Sequence, residues 1–318
     1  MKKVLVPSPV FSSQCPDAVA YLEAHGIAVI QNKHGLPFSF EKYASTLSEI
    51  EAVIAGVEVW DGTRMDQCPK LKILARFGIG VDNFDLPAAK KRGITCTNAP
   101  GLNTNAVAEH TISLILALTR RIVRFDREVR QGQWVKHPAI ELTGRTLGLI
   151  GCGAIARRVA SFAQAFGMEV IAYDAYPDKA AAQAAGIQLL PMEEVLCRAD
   201  VVSTHVPGTE TTRHMIGKTE FAHMREHTFF VNTSRGSVVD EAALYHALAS
   251  GHLSGAAADV FEQEPVDLTA PLMSLPNFIA TPHTAAITKE ANQAIANSCA
   301  RAVVDCLEGR RPEHILTD

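Results

Sequence analysis

GRTLGLIGCGAIARRVASFAQAFGMEVIAYD, residues 144–174, decides the fold. An apolar run, Thr146 to Ile150, ends in Gly151-Cys152-Gly153. A segment of helical composition, AIARRVASFAQAF, follows, and a second apolar run closes on Asp174. Strand, glycine turn, helix and strand in that order give a G-x-G pattern its physical meaning. Backbone amides at the helix N-terminus, here Ala154 and Ile155, face a pyrophosphate, while the two glycines supply the tight turn and the close approach. An acid about 20 positions further on, at the tip of the next strand, suits the ribose hydroxyls of NAD and repels the extra phosphate of NADP. The usual third glycine is Ala156. Its extra methyl bears on helix-to-strand packing and leaves the phosphate argument intact.

The same alternation extends in both directions. KVLVP (3–7), EAVIAG (51–56) and LKILA (71–75) precede the turn, and ADVVSTHV, TFFVNTS, AAADVF and NFIATPH follow it, separated by helix-length spacers. Apolar strands alternating with helices predict doubly wound parallel sheets. The 318 residues exceed one ordinary domain of roughly 100–200 residues. The sequence therefore predicts an α/β protein of two Rossmann-like domains. Asn103 to Arg130 reads as helical, either crossing between domains or lying in one core, and Thr288 to Glu308 reads as a second long helix stopped by Gly309 and Pro312.

Composition narrows the function. With 30 basic and 34 acidic side chains the net charge is −4, and nothing in that balance attracts nucleic acid. The seven cysteines are scattered without a C-x-x-C pair, so neither a disulfide framework nor a metal site is expected, and a reducing cytoplasm is the expected home. The N-terminal stretch is broken by Pro7 and Pro9 and reads as a strand, not a signal peptide. No membrane anchor is expected. Cys152 sits at a helix N-terminus, where a thiol can be activated; the reading preferred here is a small apolar filler.

Three polar residues fall at the ends of later strands: Arg235 in VNTSRGSVVD, Glu264 in ADVFEQEP and His283 in ATPHTAAIT. The carboxyl ends of parallel strands face the ligand crevice, so the three can converge there. Taken one at a time, each also fits a bland role: a surface ion pair, a solvated loop acid, a turn histidine.

These segments, with LKILARFGIGVDNFD (71–85), TNAPGLNTNAVAEHT (97–111) and GRTLGLIGCGAIARRVA (144–160), resemble the D-isomer-specific 2-hydroxyacid dehydrogenases, in particular the short phosphoglycerate dehydrogenase-like members. The resemblance implies an NAD-dependent enzyme, active as a homodimer, that interconverts a D-2-hydroxy acid and its 2-oxo acid. It implies a discontinuous substrate domain, residues 1–98 plus 286–318, and an NAD-binding domain, 99–285, with the active site in the cleft between them. It casts His283 as the proton donor and acceptor at the 2-oxygen and Glu264 as the carboxylate that holds the imidazole and favours its charged form. Arg235 becomes the fork that binds carboxylate and carbonyl. Amides around Gly78, Ile79 and Gly80 would hold the substrate carboxylate. Gly151, Gly153, Ala154, Ile155, Asp174, Val206, Pro207, Thr233 and Asp259 would hold the cofactor, with Asp259 on the nicotinamide carboxamide. His205 is expected to be structural. The helix from Asn103 and the segment QGQWVKHPAIEL (131–142) resemble the family's dimer-forming region.

Two departures are local: Ala156, and Ala285 where the family often has glycine. A third bears on substrate. Phosphoglycerate dehydrogenases usually carry an arginine for the substrate phosphate after the strand read here as AVIAG, and this chain has Ala55, Gly56, Val57 and Glu58 there. 3-Phosphoglycerate is a candidate substrate that Glu58 would oppose and that Arg76 or Arg64 would have to compensate. With the chain ending at Asp318, no appended regulatory domain is expected. Two other readings stay open: a non-catalytic NAD-sensing protein similar to corepressors on this fold, and a formate- or phosphite-oxidising relative.

Overall fold

Val- and Ile-rich runs between helical spacers form strands here because helices bury both of their faces, the condition of a parallel sheet. The computed structural model of the chain describes residues 1–318 apart from Val10 and Leu36. It divides into two compact units, Met1–Asn103 with Ile287–Asp318, and Thr104–Ala286.

The first unit holds β1 (Lys2–Val6), β2 (Ile27–Gln31), β3 (Ala52–Ala55), β4 (Ile73–Arg76) and β5 (Thr95–Thr97). They pair in parallel in the order β2-β1-β3-β4-β5, the 2-1-3-4-5 arrangement of a flavodoxin-like sheet. Val4, Val6, Ile54 and Ile73 pack one face against the helices Pro16–Ala24 and Lys289–Leu307. Leu5, Val53 and Leu74 pack the other against Phe40, Ile50 and the fully buried Trp60. The helix Lys289–Leu307 starts where the Thr288 hydroxyl accepts the N–H of Ala291 at 3.1 Å and is followed by Gly309 in the left-handed region (φ 79°), matching both boundary signals in the sequence.

The second unit holds β6 (Thr146–Ile150), β7 (Glu169–Tyr173), β8 (Gln188–Leu189), β9 (Val201–Thr204), β10 (Thr228–Asn232), β11 (Leu253–Ala258) and β12 (Phe278–Ala280). Their parallel order, β12-β11-β10-β9-β6-β7-β8, is the Rossmann order with one strand added. β6 pairs with both β7 and β9, so the chain reverses its winding beside β6, the switch point where such sheets bind ligands. The helices Thr104–Thr119 and Ala154–Ala165 cover one face through Ile112, Ile115, Ala156 and Val159 against Leu147, Leu149 and Val231.

The structure departs from the sequence reading in three places. The helical stretch from Asn103 is two helices, Thr104–Thr119 and Ile122–Arg130, parted by Arg121 at φ 55°. The second of them has no buried residue. β11 begins at Leu253, ahead of the expected AAADVF, because Leu253, Gly255 and Ala256 are buried while Asp259 already turns into the loop. The short strands β5 (TCT) and β8 (QL) carry too few apolar residues to stand out, and β2 (IAVIQ), apolar at four of five positions, is a strand that the sequence reading did not name. Among the described residues, no helix is long and apolar enough to cross a membrane.

Candidate active site

Because every strand of the second unit runs the same way, the loops at their carboxyl ends gather along one edge. The expected residues lie on those loops: the turn 151–153 after β6, Asp174 after β7, Val206 and Pro207 after β9, Thr233 and Arg235 after β10, Asp259 and Glu264 after β11, and His283 after β12.

The two glycines of the turn answer different needs. Gly151 has φ 98°, and a Cβ built on it would lie 2.6 Å from the His205 carbonyl oxygen and 3.1 Å from Val206 Cγ1. Packing against the exit of β9 therefore requires glycine there. Gly153 has φ −71°, and a Cβ there would meet nothing within 4 Å, so the space before the helix Ala154–Ala165 is open. Asp174 accepts the N–H of Cys152 at 2.7 Å through Oδ2 and that of Tyr176 at 2.8 Å through Oδ1, and each oxygen keeps a lone pair for a hydroxyl. Arg157 Nη1 donates to the Cys152 carbonyl at 2.8 Å. Cys152 is a core residue, and burial pushes its thiol up, which makes it a filler. Ala156 is fully buried in the same core. Open amides at a helix N-terminus, an approach no side chain obstructs and an acidic strand tip fit a dinucleotide.

Other expected cofactor residues have partners within the unit. Thr233 Oγ1 lies 2.9 Å from Thr111 Oγ1, on the buried side of the helix Thr104–Thr119. The Pro207 carbonyl accepts the Thr212 hydroxyl at 2.6 Å. His205 Nε2 lies 3.0 Å from Ser203 Oγ, and desolvation pushes the ring down to about 4, leaving it neutral at pH 7. A structural histidine is what that environment makes.

His283 and Glu264 form a pair, with Nδ1 2.7 Å from Glu264 Oε2. Glu264 Oε1 accepts the Phe261 N–H at 3.0 Å, so both oxygens are fixed. Burial acts to raise the Glu264 carboxyl. The hydrogen bonds from His283 and Phe261, with the charges of His283 and Arg235, outweigh it and hold the group below its ordinary value. His283 sits at φ 52° and its side chain is 46% exposed, so the imidazole is fixed at one nitrogen and open to a reactant. Arg235 lies across Gly208: a Cβ on Gly208 would come within 2.9 Å of Arg235 Cγ. Arg235 Nη1 donates to the Ser234 carbonyl at 2.7 Å, and its own carbonyl accepts from Asn232 Nδ2 at 2.9 Å. The next residue must be glycine, because a Cβ on Gly236 would overlap the Phe261 carbonyl on the loop that carries Glu264.

Asp259 is fully buried. Its Oδ1 accepts the Thr281 hydroxyl at 2.5 Å and the Thr284 N–H at 2.9 Å, and its Oδ2 accepts the Ala285 N–H at 2.8 Å. The His283 N–H donates to the Asp259 carbonyl at 2.8 Å. Asp259 thus anchors the loop that presents His283. His110, on the helix Thr104–Thr119, places Nε2 3.1 Å from Thr281 Oγ1 and 3.5 Å from Asp259 Oδ1. Sequence reasoning did not single out His110 or Thr281. The one signal was that His110 falls within the segment TNAVAEHT.

In the first unit the loop after β4 has its carbonyls tied inward: Gly78 O accepts from Ala99 N at 3.1 Å, Ile79 O from Asn98 Nδ2 at 2.9 Å and Gly80 O from Arg76 Nε at 2.7 Å. The Gly78 N–H donates to Arg76 O at 2.8 Å, which leaves Ile79 and Gly80 as the amides of that loop for an anion.

The family model for the D-isomer specific 2-hydroxyacid dehydrogenase, NAD binding domain, matches residues 112–285. The chain is 39% identical over 310 residues to the D-3-phosphoglycerate dehydrogenase of Archaeoglobus fulgidus, an alignment covering 96% of this chain and 58% of that protein. It is 40% identical over 262 residues to the glyoxylate reductase of Korarchaeum cryptofilum, covering 80% and 79%. Among solved structures it is similar to the TT0316 protein of Thermus thermophilus, with a TM-score of 0.91 and 34% identity over 99% of both chains.

Proposed function

The chain belongs to the D-isomer-specific 2-hydroxyacid dehydrogenase family, and on that premise we propose that it interconverts a D-2-hydroxy acid and its 2-oxo acid with NAD. The observation that carries the reading is the His283–Glu264 pair at 2.7 Å, placed where the charge of Arg235 is felt, on the same edge of the sheet as the loops after β6 and β7. When bound, the nicotinamide supplies or accepts the hydride. Glu264, an ionised acceptor, holds Nδ1 of His283 as a donor, so Nε2 is the nitrogen that exchanges a proton. In reduction Nε2 gives its proton to the 2-oxygen, and in oxidation it takes the proton back. Arg235 offers its fork to the carboxylate and carbonyl. Family resemblance assigns the amides of Ile79 and Gly80 to the substrate carboxylate. Asp259 acts as a positioning residue for the His283 loop. Gly153, Ala154, Ile155 and Asp174 hold the dinucleotide, and Val206, Pro207 and Thr233 border it. A panel of 2-oxo acids assayed with NADH and NADPH tests this. Turnover of at least one acid with NADH preferred is expected; cofactor binding without turnover across the panel would replace the enzyme with a sensor.

We also place the protein in the cytoplasm and read it as a homodimer. All seven cysteines are free thiols, as a reducing compartment allows. The dimer reading is supported by Ile122, Val123, Val129, Trp134 and Val135, large apolar residues between 49% and 83% exposed that cluster within fourteen positions. Large apolar residues exposed together along one segment mark an interaction site more readily than single exposed ones do. Trp134→Glu is expected to raise the dimer dissociation constant at least about tenfold, the scale of an aromatic anchor, as read by analytical ultracentrifugation. An unchanged constant would remove this segment from the interface.

A further inference from the structure

The two named relatives act on different kinds of acid, one phosphorylated and one not, and the first unit holds a fixed carboxylate, Glu58, on which that difference bears. β3 and β4 are neighbours with Ala55 opposite Arg76, so the loops after them leave the sheet side by side at its ligand-facing edge. The two loops are knitted together: Asn83 Nδ2 donates to the carbonyls of Gly56 at 3.1 Å and Glu58 at 2.6 Å, and the Trp60 N–H donates to Asn83 O at 2.8 Å. Within this frame Glu58 is fixed. Its Oε1 accepts the Gly56 N–H at 2.8 Å and Trp60 Nε1 at 3.1 Å, and its Oε2 lies 3.0 Å from where a side chain on Gly56 would begin.

The nearby cations are engaged. Arg76 directs Nε to the Gly80 carbonyl at 2.7 Å and Nη1 to the carbonyls of Phe77 at 2.9 Å and Ala55 at 3.4 Å, and its charge also acts on Glu58. Arg64 donates to the Val59 carbonyl at 2.6 Å and stacks 4.6 Å above the Phe40 ring. This end of the sheet therefore provides amides for one anionic group and balances its guanidinium with a carboxylate. A phosphate would add close to two negative charges beside Glu58. Burial already pushes the Glu58 carboxyl up, so a dianion would bind either against a like charge or by taking up a proton.

We propose that Glu58, fixed between Gly56 and Trp60 at the edge that carries Ile79 and Gly80, makes the protein select an unphosphorylated 2-oxo acid over its phosphorylated counterpart. The proposal rests on the dehydrogenase reading above and names the substrate class within it. The test compares hydroxypyruvate with 3-phosphohydroxypyruvate, by NADH turnover and by calorimetric binding in the presence of oxidised NAD, with which a 2-oxo acid does not react, in the wild type and in Glu58→Gln. The amide retains an oxygen for Gly56 and Trp60, and the melting temperature checks that the loop survives. The wild type is expected to favour hydroxypyruvate at least about tenfold. Glu58→Gln should narrow that preference about tenfold, mainly through KM for the phosphorylated acid. Equal or better use of the phosphorylated acid by the wild type overturns the proposal, as does a ratio within about twofold of wild type in Glu58→Gln. If neither acid is turned over, the wider panel of 2-oxo acids decides the dehydrogenase reading separately, and the binding ratio still decides the role of Glu58.

Discussion

Replacing His283 by asparagine is expected to lower kcat/KM for 2-oxo acid reduction by about 10²–10⁴-fold, the range over which a positioned acid–base group acts. Asparagine is the informative replacement. His283 sits at φ 52°, in the left-handed region that asparagine tolerates and alanine does not, so the loop bonds through the His283 N–H and Asp259 persist while the titrating group is gone. Glu264 does not set the pH dependence of this step at neutral pH. Its carboxyl lies below its ordinary value of 4.5, so its stabilising contribution is complete above that value and is lost only as pH falls through the lower one. Steady-state kinetics with a fluorescence titration of NADH separates the outcomes. Lost turnover with cofactor affinity within about threefold of wild type supports the assignment, and retention of more than about a tenth of the activity would give the proton to another group.

The loop around His283 also marks where sequence reasoning stops. The glycine turn, Arg235, Glu264 and His283 were legible because each lies at the end of an apolar run, and strand ends are what a parallel sheet gathers on one edge. The support beneath them was not. His110 and Thr281 are 171 positions apart and meet only because the helix Thr104–Thr119 packs on the sheet beside β11. The family resemblance assigns Asp259 to the nicotinamide carboxamide, and what the sequence does not show is that both its oxygens turn inward onto Thr281, Thr284 and Ala285. In sequence an inward and an outward carboxylate look the same. The break at Arg121 was hidden for a simpler reason: Thr-Arg-Arg-Ile keeps helical composition, and no glycine or asparagine marks the left-handed residue. Glu58 lies between these cases. Its charge and position were visible, but the bonds that fix it depend on Asn83 and Trp60, which only the folded loops bring together.

Opposite outcomes are expected from the same substitution at the two glycines of the turn. Gly151→Ala places a methyl 2.6 Å from the His205 carbonyl oxygen and demands φ 98° of an L residue. A backbone atom cannot rotate aside as a side chain can, so the strand exits must separate, at a cost of about 3 kcal/mol or more. For a unit of this size that lowers the melting temperature by roughly 6–12 °C. Gly153→Ala meets no such obstacle: φ is −71° and a Cβ finds nothing within 4 Å. The melting temperature should hold within about 2 °C, since alanine also restricts the unfolded chain. The methyl instead occupies the open approach to the amides of Ala154 and Ile155, and NADH affinity should fall about 10- to 100-fold, or roughly 1.4–2.7 kcal/mol. Differential scanning calorimetry and NADH titration of both variants read the two quantities separately. A Gly153→Ala protein that binds NADH as well as wild type would show that the pyrophosphate does not approach over this turn. A Gly151→Ala protein with an unchanged melting temperature would show that β6 and β9 can part without cost.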